Sequence, residues 1–198
     1  MGDGDNSQTW SLPKNLLTHV SPFFTAALDG PFSESDSHKM LLPEDDPAAF
    51  ELFVQWLYIG ETGKDSPDHI LTHVRAWTLG DKLGCPVFQD RAMLKLLKFH
   101  AGEQARIIEP QTLLLAYEGS AANSKLRAWA LQQFRCEVER NNLGKMAEEW
   151  ASITKTVVDF GSDYVRDSAS AKALFDDKWW RPELDGQQFL ELLTFKAY

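Results

Sequence analysis

The chain commits itself most firmly between Asp46 and Gly60. An Asp at a helix N-cap accepts hydrogen bonds from the first free backbone N–H groups, and Pro47 at the next position has its φ already set for the first helical turn. The apolar positions Phe50, Phe53, Val54, Leu57 and Tyr58 then recur at three- and four-residue spacing, which predicts one buried face. Gly60 supplies the left-handed closing residue. A capped, one-faced helix of this kind needs other elements to cover it.

Proline and glycine cut the rest of the chain into segments of similar length. Leu16, Leu17, Val20, Phe23, Phe24 and Leu28 read as helical, and Ser21-Pro22 inside that run predicts a kink or two short helices ended by Gly30-Pro31. A helix from about Pro67 to Leu83 is expected to bury Ile70, Val74, Trp77 and Leu83 before Gly84 stops it. Pro86 opens the next, with Phe88, Ala92, Leu96 and Phe99 inward, and Pro110 opens a short one with Leu113, Leu114 and Tyr117. Ser124 caps a longer helix carrying Leu126, Ala130, Phe134 and Val138, and Met146 to Val165 is helical in pattern. The short apolar run Met40-Leu41-Leu42, stopped by Pro43, fits a strand. Residues 1–9 read as a flexible leader, and the last thirty residues carry no periodic pattern that places them.

Bulk chemistry excludes several classes of function. A chain of 198 residues, 43% hydrophobic and 25% charged, is too apolar to be disordered and long enough for a sizeable core. Its formal charge of −9, with no basic cluster larger than a pair such as Lys95 and Lys98, repels a phosphate backbone or an anionic bilayer, so nucleic acid and membrane are not expected partners. No run approaches the roughly 18 apolar residues of a membrane span, and the acidic amino terminus is no secretory signal. The two cysteines, Cys85 and Cys136, have neither metal-ligand spacing nor a disulfide framework, which points to a reducing compartment and a cytoplasmic or nuclear location. Seven Trp and twelve Phe must either fill a core or await a partner; composition alone leaves both open.

From Trp10 to about Leu96 the sequence resembles the BTB/POZ family, especially its divergent fungal forms. Leu12-Pro13-Lys14-Asn15-Leu16-Leu17 followed by Ser21-Pro22-Phe23-Phe24 is similar to the family's hydrophobic, His-Lys, Leu, Ser-x-x-Phe segment, with Pro13 where many members have His. Phe32-Ser33-Glu34 stands where the family carries a Phe-x-Glu loop. Leu42-Pro43-Glu44-Asp45-Asp46-Pro47, Phe50 and Trp56-Leu57-Tyr58-Ile59-Gly60-Glu61 resemble its central signature, and Leu79-Gly80-Asp81-Lys82-Leu83 its later Ala-Asp-Lys segment. No single piece is specific; their order is what carries the likeness. Gln111 to Val138 resembles, more weakly, the helical extension of fungal members.

The resemblance implies an α+β, predominantly helical fold: a BTB/POZ-like helical cluster over residues 10–104 with a small sheet, truncated because no opening strand precedes Trp10, then a helical extension over 105–198. It implies a protein-interaction module that is not an enzyme and has no cofactor or metal. Its partners are other proteins, cullin-3 or another BTB protein, with Phe32 and Glu34 as the partner-binding residues of an adaptor to a cullin-3 ubiquitin ligase. The alternative is a homo- or hetero-oligomerisation domain in transcriptional or scaffold complexes without ubiquitin chemistry. The family builds its homodimer with the opening strand, so a homodimer does not follow here.

Each candidate site has a plainer reading beside it. Phe32 is either an exposed aromatic anchor next to a charge, a typical hot-spot arrangement, or folds back on the core while Glu34 is solvated. His69 and His73 stand at chelating spacing, but the Glu of H-E-x-x-H and a third ligand are missing, so solvated or capping histidines are expected. Glu44-Asp45-Asp46 is explained by the dipole of the helix it precedes, without general acid–base catalysis. Ser21 and His19 make no triad, because residues two apart on a helix diverge. Trp179-Trp180-Arg181-Pro182 either docks a partner or anchors the tail.

Overall fold

A computed structural model describes residues 8–31, 33–37, 39–63, 70–99, 108–139 and 143–171. Among these residues the chain forms ten α-helices and one 3₁₀ turn, with no strand. The helices are α1 (Lys14–Val20), α2 (Pro22–Asp29), α3 (Ser33–Ser37), α4 (Pro47–Ile59), α5 (Ile70–Leu83), α6 (Pro86–Phe99), α7 (Pro110–Glu118), α8 (Lys125–Glu139), α9 (Ala147–Thr156) and α10 (Val158–Ala171). The expected α+β fold with a small sheet is therefore corrected: the described fold is all-helical.

The reason lies at residues 39–42. A strand exists only where a second extended segment completes its ladder, and the long described segments are committed to helix. Met40 and Leu42 lean on the core while Leu41 is 89% exposed, so the run alternates like a strand but has no extended neighbour to pair with among the described residues. The Leu42 carbonyl accepts instead from Asp45 N at 3.3 Å, closing a turn.

The helix starts follow local chemistry. Asp46 Oδ1 accepts from Ala48 N (2.8 Å) and Ala49 N (3.2 Å), and Gly60 closes α4 at φ 74. Ser124 Oγ accepts from Arg127 N at 3.2 Å. The Ser21-Pro22 break resolves as two helices, and Ser21 Oγ caps the second by accepting from Phe24 N at 3.2 Å. The α1–α2 pair is tied at its open end by Lys14 Nζ, which reaches both the Leu28 carbonyl (2.7 Å) and Asp29 Oδ1 (2.8 Å). The Met146–Val165 stretch is interrupted: Val157 leaves helical geometry (φ −92, ψ 92) and separates α9 from α10. The neighbouring Thr156, Val157 and Val158 are all β-branched and give up side-chain freedom in a helix.

The most extensive helix–helix contact is between α5 and α6, which form a hairpin through Gly84-Cys85. Around it Phe24, Phe53, Trp56 and Phe88 pack ring against ring, with centroids 5.2–6.1 Å apart, the range in which offset and edge-to-face pairs attract. Trp10 closes the edge on Phe50 at 4.8 Å. A second aromatic group, Tyr117, Phe134, Trp150, Phe160 and Tyr164, joins α7, α8, α9 and α10. One continuous apolar core includes both groups, so every described Trp is committed to it. The α4 stripe packs as expected at Phe50, Phe53, Val54 and Leu57, with Ala49 and Trp56 also turned to the core, but Tyr58 is 59% exposed.

Candidate protein-interaction surface

The chain between α2 and α4 leaves the core and returns to it. Gly30 ends α2 in extended geometry, Pro31 is exposed, and α3 rests mainly on α2. Within α3 Glu34 is half-buried and engaged with a neighbour inside the molecule, and Asp36 and Ser37 are exposed. Phe32, expected beside Glu34 at the partner contact, lies outside the described residues. The segment then presents Leu41 almost fully to solvent, between the half-buried Met40 and Leu42. Leu41 went unnoticed as a surface residue in the sequence, although the alternation that suggested a strand already turned it away from its neighbours. Tyr58 and Ile59 (68% exposed) add apolar surface at the end of α4.

The acidic cluster lies on the other side of Pro43. Asp46 Oδ2 accepts from Arg75 Nη1 at 2.9 Å while Oδ1 caps α4, and Asp45 Oδ2 accepts from Lys82 Nζ at 2.6 Å. These pairs clamp the start of α4 to α5. Asp45, Asp46 and Arg75, together with Glu44, Val74, Leu115 and Glu118, line an open cleft of about 440 Å³. Asp45 and Asp46 each face a cation, an arrangement that holds α4 against α5.

His73 is a core residue. It is 1% exposed, its Nε2 lies 3.2 Å from the Thr62 carbonyl oxygen, and Phe99 meets its ring edge-on at 5.7 Å. His69 and Trp179-Trp180-Arg181-Pro182 lie outside the described residues. Among the described residues no group of three His, Cys, Asp or Glu side chains is placed to hold a metal, and no helix is long and apolar enough to cross a membrane.

Cys85 sits where four helices meet. Its thiol donates to the Val20 carbonyl at 3.1 Å, and burial pushes its pKa up to about 11, opposed by a hydrogen bond from Ser21. A thiol so placed is a poor nucleophile at neutral pH. Arg127, which sequence reasoning passed over, joins α7 to α8 and α10. Its Nη2 donates to the Tyr117 and Ser120 carbonyls (2.7 Å each), Nη1 pairs with Asp159 at 3.3 Å, and the guanidinium lies 4.9 Å from the Tyr117 ring centroid. Burial, reinforced by the Asp163 and Asp159 carboxylates, pushes the Tyr117 phenol well above its usual range.

Compared with protein-family models, with curated proteins and with solved structures, the chain has no significant match in any of the three.

Proposed function

We propose that this chain is a protein-interaction module of BTB/POZ type that bridges a substrate to a cullin-3 ubiquitin ligase. The contact is made by the segment between α2 and α4. The observation that supports the reading is Leu41, an aliphatic side chain 89% exposed next to a short acidic helix. An apolar residue presented to water beside charged neighbours is what a hot-spot contact needs, because the partner gains burial at its centre and polar contacts at its rim. The resemblance adds Phe32 and Glu34 to the same segment. Capture of the chain by immobilised cullin-3 tests the reading, wild type against Phe32→Ala/Glu34→Ala. Capture that falls at least tenfold in the double variant supports it. Equal capture, or none from either, ends the adaptor reading.

A second reading, an oligomerisation module without ubiquitin chemistry, draws on α10. Val158 (86% exposed) and Val165 (68%) stand seven residues apart on one side of that helix. Size-exclusion chromatography with light scattering separates the two: a monomer at micromolar concentration removes self-assembly.

A further inference from the structure

In α3 three serines alternate with two acids, Ser33-Glu34-Ser35-Asp36-Ser37. Of all the serines in the chain, Ser33 alone has a carboxylate at the third position after it, Asp36, and a second at the next position, Glu34. A serine kinase whose substrate groove is lined with basic side chains selects this pattern by charge complementarity, since the carboxylates that follow the acceptor fall against its cations.

Such an enzyme also needs the acceptor segment extended and free of the core. Among the helices, α3 makes its main contact with α2, contributes no residue to the apolar core, and leaves Glu34 and Ser35 only half-buried. Pro31 ahead of it and Asp36, Ser37 and Lys39 at its far end are exposed. Elements held by so little buried surface open at a small fraction of the global unfolding free energy. The same sequence pattern inside α5 or α6 would be closed by burial.

We propose that Ser33 is a phosphorylation site for an acidic-directed serine kinase. The γ-phosphorus of ATP forms its new bond to the Ser33 Oγ as its bond to the ADP oxygen breaks. The hydroxyl proton passes to the carboxylate base of the kinase. The product carries about −1.5 to −2 charges at neutral pH, placed in sequence between Phe32 and Glu34. The inference stands apart from the identity of any partner, because the modification itself is what is measured.

The test incubates the full chain, without denaturant, with an acidic-directed serine kinase and Mg-ATP, and locates phosphate by peptide mass mapping. The peptide spanning residues 28–42 serves as the fully open reference. The expected result is a single phosphate on Ser33, added at an initial rate within about tenfold of the peptide's, absent from Ser33→Ala, and slowed about tenfold in Asp36→Asn as the third-position charge is lost. The proposal is overturned by phosphate on the peptide but not on the full chain, by none on either, by phosphate that persists in Ser33→Ala, or by an Asp36→Asn rate equal to wild type.

Discussion

Ser21 Oγ donates a buried hydrogen bond of 2.6 Å to the Leu83 carbonyl while accepting from Phe24 N, so one hydroxyl both caps α2 and fixes the end of α5. The two residues are 62 apart in sequence. The α1–α2 break and the α5–α6 break are thus held against each other, and the Cys85 thiol adds a second link to Val20.

Ser21→Ala removes both bonds and leaves the buried Leu83 carbonyl with only a weak, 3.7 Å contact from the Cys85 thiol. A lost cap costs about 1 kcal/mol and an unsatisfied buried acceptor about 1–3 kcal/mol. Urea unfolding followed by circular dichroism is expected to give a loss of about 2–4 kcal/mol with an unchanged m-value. A loss under about 0.5 kcal/mol contradicts the two-sided role.

Gly84→Ala acts at the same junction by a different route. Gly84 has φ 65, and a Cβ there meets Pro22 Cγ at 2.6 Å, a ring that cannot swing aside. The expected loss is about 2 kcal/mol or more, from left-handed strain and overpacking together. At Gly60, where φ is 74 and a Cβ meets nothing within 4 Å, alanine is expected to cost only about 1 kcal/mol. Equal losses at the two sites contradict the Pro22 contact.

Asp46 separates capping from ion pairing. Asp46→Asn keeps an oxygen for Ala48 N and Ala49 N and gives up the charge facing Arg75. The pair is partly exposed, so its loss is expected to cost under about 1 kcal/mol. Asp46→Ala loses the cap as well and is expected to cost about 1–2 kcal/mol. Identical losses in a denaturant series show that the cap contributes nothing.

Cys85 is expected to resist alkylation. With its pKa raised from 9.0 to about 11, its thiolate at pH 8 is about 100-fold scarcer than that of a solvated thiol. Because the folded state holds this proton more tightly than the unfolded state, the linked stability is complete below pH 9 and is lost as pH rises from 9 toward 11. Iodoacetamide labelling with peptide mapping is expected to modify Cys85 only after denaturant is added. Labelling of the native protein at the rate of a free thiol contradicts this.

The helices of this fold were legible because their signals are local. Asp46-Pro47, Ser21-Pro22, Ser124 and Gly60 each act within one turn, through hydrogen bonds and φ values that belong to the residues themselves. What failed depends on distant partners. Met40-Leu41-Leu42 has the composition of a strand, but pairing is a property of two segments, and the second is not there among the described residues. Four of the five residues of the α4 stripe pack on the core as their spacing predicts, but Tyr58, one position from the helix end, is 59% exposed, and burial there depends on which helix lies over it. The Arg127 clamp joins α7, α8 and α10, and spacing alone could not announce it. Of the two residues assigned to the partner contact, Glu34 lies half-buried on α3, and Leu41, which the resemblance did not name, is 89% exposed.

The central claim, a partner contact built on the α2–α4 segment, is tested most directly by titrating the chain into the amino-terminal helices of cullin-3 and measuring Kd calorimetrically. Wild type is compared with Leu41→Glu and with Phe32→Ala/Glu34→Ala, each first checked for an unchanged urea midpoint. Saturable one-to-one binding is expected of wild type, with a Kd at least tenfold weaker, about 1.4 kcal/mol, in both variants. Wild-type binding that neither variant weakens, or no binding by wild type, contradicts it.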